Sequence, residues 1–162
     1  MKKYFVMTML MVMGAVCADA QVVFSKIKFH VAVITDFTQQ QLETKFKVTS
    51  ERPIKYVTVG WAAVNEVGDA ISDDVVGGVN ANVEPTKYHN IIHTGPFKKG
   101  QSKTSHFGIY HFHSGKRHKV MPYRLTIEYM GGGKEVIDIT KDNIKTFFPC
   151  VKWIDVDYKS GL

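Results

Sequence analysis

The stretch at 56–69, Tyr-Val-Thr-Val-Gly-Trp-Ala-Ala-Val-Asn-Glu-Val-Gly-Asp, constrains this chain most, because it couples a two-residue period to its own stop signal. Val57, Val59, Trp61 and Ala63 fall on one side of an extended strand, and Tyr56, Thr58, Gly60 and Ala62 on the other. That alternation aims Trp61 at a core. The residues 65–69 then carry the chemistry of a tight hairpin. Asn65 bonds local backbone, and Gly68 supplies the positive φ that a type I turn followed by a bulge requires.

The same rhythm recurs along the chain. Residues 22–34 are rich in β-branched side chains and lack a helix cap, so they predict an opening strand. Leu42, Thr44, Phe46 and Val48 alternate with Glu43, Lys45 and Lys47, one face dry and one wet. Arg52-Pro53 turns the chain into the Trp61 strand, and 70–76 pairs back against it. A loop is predicted over 77–85 and a weak strand over 88–93, after which Gly95-Pro96 and Lys98-Lys99-Gly100 break the chain. Residues 107–112 form a strand by composition, and Tyr123, Leu125, Ile127 and Tyr129 alternate with polar residues. Gly131 to Gly133 turn that strand back into 134–139. One helical turn is expected between Thr140 and Pro149, and 151–158 closes the chain as a last strand.

Eight or nine short strands with almost no helical periodicity define an all-β chain, a single antiparallel two-sheet sandwich. An immunoglobulin-like arrangement fits first, because Trp61 sits mid-chain on a core strand; a jelly roll or closed barrel is the runner-up.

The N-terminus points to export. Lys2 and Lys3 precede an apolar run at 4–16, and Ala18-Asp19-Ala20 offers a signal peptidase its small residues. The run is shorter than the ~20 residues that span a bilayer, so 1–20 reads as a signal peptide and 21–162 as one domain. The expected location is extracytoplasmic, periplasmic or secreted, with no membrane span after cleavage. Cleavage removes Cys17 and leaves Cys150 without an internal disulfide partner; a buried, apolar role is expected for it. The formal net charge of the whole chain, +6, favours solubility and attraction to anionic surfaces.

The hairpin at 65–69, the Gly95-Pro96 step with Gly100 beyond it, and the Tyr129 strand with its glycine turn together resemble a group of small extracytoplasmic bacterial domains of immunoglobulin or fibronectin III-like fold. The resemblance covers roughly residues 55–139 and rests on turn motifs. It implies a fold and supplies no catalytic residues. His106 and Phe107 stand where the group carries an aromatic-Trp pair.

One chemical asymmetry stands out. From Pro85 to Ile127 there is neither Asp nor Glu, yet six of the seven histidines lie there. A solvated, lysine-protected edge explains this without any ligand. An anion-binding face explains it through Lys98, Lys99, Lys103, Lys116, Arg117, His118 and Lys119, with Tyr110 for stacking on a sugar ring. Histidines in such a face would strengthen binding in mild acid. The partner expected is an anionic glycan or an envelope component, or else a protein partner; nucleic acid does not fit an exported chain. A third reading is a transition-metal or haem site. His111 and His113 share a strand face and His106 or His118 supplies a third ligand, although no acid orients the rings. A purely structural subunit of an envelope assembly is the remaining reading. Catalysis is not expected. Ser102, Ser105 and Ser114 lie in no nucleophile elbow, Asp69, Asp73 and Asp74 lack calcium-loop spacing, and no cofactor motif is present.

Overall fold

The computed structural model describes residues 20–34, 37–65, 68–71, 89–109 and 119–156. The expected signal peptide apart from Ala20, the loop over 77–85, Asp73, Asp74 and residues 110–118 lie outside them. Eight strands and one helical turn are described: β1 (Val22–Ile34), β2 (Phe37–Val48), β3 (Ile54–Val64), β4 (Ala70–Ile71), β5 (His89–Phe97), β6 (Ser102–Ile109), β7 (Lys119–Tyr129), β8 (Lys134–Asp138) and α1 (Ile144–Phe147).

The strands form two antiparallel sheets. The first has the order β1-β2-β6; the second runs β4-β3-β7-β8, with β5 also paired to β3. The chain is therefore not a closed barrel, which removes that runner-up: a barrel needs one continuous ring of pairing, and here each sheet keeps its own strands.

Alternation sets which residues meet between the sheets. Leu42, Thr44, Phe46 and Val48 are all buried, as are Val57, Val59, Trp61 and Ala63. Phe46 of the first sheet meets Phe97 of the second edge-on at 5.4 Å, and Phe29 meets Trp61 at 5.5 Å. Fully burying one such ring contributes roughly 1.5–3 kcal/mol, so these contacts join the layers. The hairpin after β3 forms as its residues dictate: Gly68 has φ 101°, the Asn65 amide NH donates to Asp69 O, and the Asp69 NH donates to Asn65 Oδ1.

Three expectations are corrected. Gly95-Pro96 does not break the chain; β5 continues to Phe97, which is buried, while the β3 register shifts between Ile54 and Tyr56. A Cβ on Gly95 would lie 2.5 Å from Ile54 O, so only glycine lets the two backbones pass this closely. Second, 151–156 carries no strand. Val151 is buried, and Trp153, Ile154 and Val156 pack on the core as a cover, so their β-branched composition reflects burial without sheet pairing. Third, Cys150 is exposed, not buried. Its Sγ still approaches Phe24 O at 3.3 Å, and desolvation pushes the thiol pKa up, so the sulfur faces inward from an exposed residue.

The expected helical turn is α1. Asn143 precedes it, accepts from the Thr140 NH and donates to Asp138 O, tying the turn to the end of β8. Phe148 then stacks on Phe24 at 4.7 Å, which carries the chain back across to the first sheet.

Candidate anion-binding face

The described parts of the acid-free segment do not fold onto one surface. Lys98 and Lys99 lie in the β5–β6 turn and Lys103 follows on β6, all exposed. Lys119 opens β7 opposite Val64, whereas the β5–β6 turn lies beyond Phe97, opposite Ile54. These are the two ends of β3, roughly 33 Å apart at the ordinary rise of a strand. Lys119 is thus separated from Lys98, Lys99 and Lys103. Tyr110, Lys116, Arg117 and His118 lie outside the described residues.

Nor do the described histidines gather. His93 is 3 % exposed, and its ring lies edge-on to Phe46 at 4.9 Å and to Phe107 at 5.2 Å. Its Nδ1 is 3.3 Å from Ser105 Oγ and its Nε2 is 3.5 Å from Thr44 Oγ1. Burial, and then the nearby positive Lys103, push its pKa down to about 4. A neutral core ring adds nothing to anion binding at mild acidity, so the expected acid strengthening loses this member. His89 stacks on Trp61 with centroids 4.6 Å apart, at the inner layer of the second sheet. His106 alone of the three is exposed, on β6 opposite Glu43.

Among the described residues no group of three His, Cys, Asp or Glu side chains is placed to hold a metal. His111 and His113, expected to join His106, lie outside the described residues. Ser105 does meet a histidine, but it is His93, inside the core and shared with a threonine. That geometry satisfies a buried polar ring.

A different set of cations does converge. Register places Lys26 opposite Lys45, Lys28 opposite Glu43 and Val23 opposite Lys47, all on the outer side of β1 and β2. Pairing with β6 extends that side through Ser102, Thr104 and His106. Strand alternation makes this inevitable once Leu42, Thr44 and Phe46 face inward. Lys26 bonds Glu43 at 2.7 Å, and Lys99 pairs with Glu51 at the adjoining turn. Lys28, Lys45 and Lys47 are exposed, and no carboxylate partner is described for them. Sequence reasoning saw Lys45 and Lys47 only as a wet face. The signal that finds the full set is the β1–β2 pairing, which brings together lysines about twenty residues apart.

No helix among the described residues is long and apolar enough to cross a membrane. No protein-family model, curated protein or solved structure matches this chain.

Proposed function

We propose that this protein is an exported, non-catalytic binding domain of immunoglobulin-like architecture that holds an anionic partner against the outer face of β1-β2-β6. The observation that carries the reading is the lysine set of that face: Lys26, Lys28, Lys45 and Lys47 with Glu43 as the acid among them. Lys45 and Lys47 stand about 7 Å apart along β2, and the neighbouring strand lies about 4.8 Å away, a grid on which a repeating anion meets several charges at once. Each contact with an exposed lysine contributes little, so affinity comes from their number and falls steeply with salt. A polyanionic glycan or envelope polymer fits that chemistry. The leader-like first twenty residues support export, and the three-strand and β3-centred sheets with Trp61 inside support the immunoglobulin-like reading.

The test is retention on a heparin column at neutral pH. The protein is expected to bind at low salt and elute as salt rises, and Lys45→Glu with Lys47→Glu to abolish retention. Passage of the unmodified protein straight through at low salt ends the reading.

A further inference from the structure

A second feature lies where β1, the start of β7 and the C-terminal cover meet. An open groove of about 470 Å³ is lined there by Ile27, Phe29, Val120 and Trp153 on its apolar side and by Lys28, Lys119 and Lys152 on its polar side. Ile27 and Val120 are buried, Phe29 and Trp153 half-buried, and all three lysines exposed. The Trp153 indole NH donates to Asp155 at 2.8 Å, which fixes one wall of the groove.

We propose that this groove binds a small amphipathic anion, an acyl carboxylate, with its chain on the apolar wall and its head group among the lysines. The size falls within the ~300–1,000 Å³ of small-molecule sites. Among the described residues no carboxylate lines the groove, so the charged side chains that line it are of one sign. Charge complementarity therefore selects the head group, and the half-buried rings select an apolar body. Lysine stems lie along apolar surface while their ammonium groups stay in water, which suits a ligand with one end of each kind. The inference does not depend on the polyanion reading: only Lys28 belongs to both surfaces, and Lys119 and Lys152 lie off the β1-β2-β6 face.

Titration with dodecanoate, followed by tryptophan fluorescence and by calorimetry, tests it. A saturable one-to-one change is expected, with the optical signal lost in Trp153→Phe because Trp61 is buried. Lys119→Gln with Lys152→Gln is expected to weaken binding about tenfold, the effect of two partly solvated charge contacts. Lys45→Glu with Lys47→Glu should leave it unchanged while removing heparin retention, which separates the two sites. Absence of saturation, a signal that survives Trp153→Phe, or equal binding of dodecyltrimethylammonium overturns the proposal. A concentration-dependent dimer dispersed by Trp153→Ala overturns it as well, since a second copy then fills the groove.

Discussion

The outer faces of the two sheets are built by the same alternation and treat charge in opposite ways. On the β3-centred sheet Arg124 bonds Asp138 at 2.8 Å across β7 and β8, and Lys134 approaches Glu128 at 3.6 Å. Between these pairs runs a row of β-branched residues in register, Ile92, Thr58, Thr126 and Val136, with Ile92 59 % and Val136 55 % exposed. That face neutralises itself. On β1-β2-β6 the cross-strand neighbours include like charges, Lys26 opposite Lys45, an arrangement that is mildly unfavourable in isolation. A fold that tolerates such repulsion on one side and pairs its charges on the other has two sides with different chemistry, and the lysine side is the one suited to an external anion.

The comparison breaks most completely if the layer between the faces is removed. Phe46→Ala should cost about 3–5 kcal/mol in denaturant unfolding and take both faces with it, since the ring contacts Phe24, His93 and Phe97. Acid comes next. The pKa of His93 lies at about 4 in the fold against 6.5 in an unfolded chain, so the folded state binds fewer protons between those values. Stability is therefore full above about pH 6.5 and lost as pH falls towards 4, by up to about 3 kcal/mol. Thermal melts across that range check it, and His93→Gln should flatten the slope. Charge reversal at Lys45 and Lys47 sharpens the contrast further: polyanion retention should vanish while the unfolding midpoint stays within about 0.5 kcal/mol of the original. Least of all, Lys134→Glu on the opposite sheet should leave retention unchanged, and a comparable loss there would erase the distinction between the faces.

Much of the fold was legible because burial follows a period of two. Leu42, Phe46 and Trp61 needed only that rhythm to be placed, and Gly68 only the geometry of its turn. The face was not legible in the same way. A run of residues without acids is a fact about neighbours in the chain, and successive side chains of a strand point to opposite layers. Thus Lys103 and His93, both in that run, end on a surface and in a core, while Lys26 and Lys45 become neighbours only through pairing. The C-terminal stretch was misread for a related reason. Val151, Trp153 and Ile154 have the composition of a strand because they meet apolar side chains, and composition alone does not say whether a backbone partner is present.

That last segment has a mechanical consequence. Residues 151–156 roof the gap beside β1, yet no ladder bond holds them among the described residues; Lys145 Nζ donates to Val151 O and Phe148 anchors the approach. Lifting the roof would wet Ile27 and Val120 without unzipping any pair of strands. Such an opening is expected to show as faster amide exchange along β1 than along β2, long before the sheets themselves come apart.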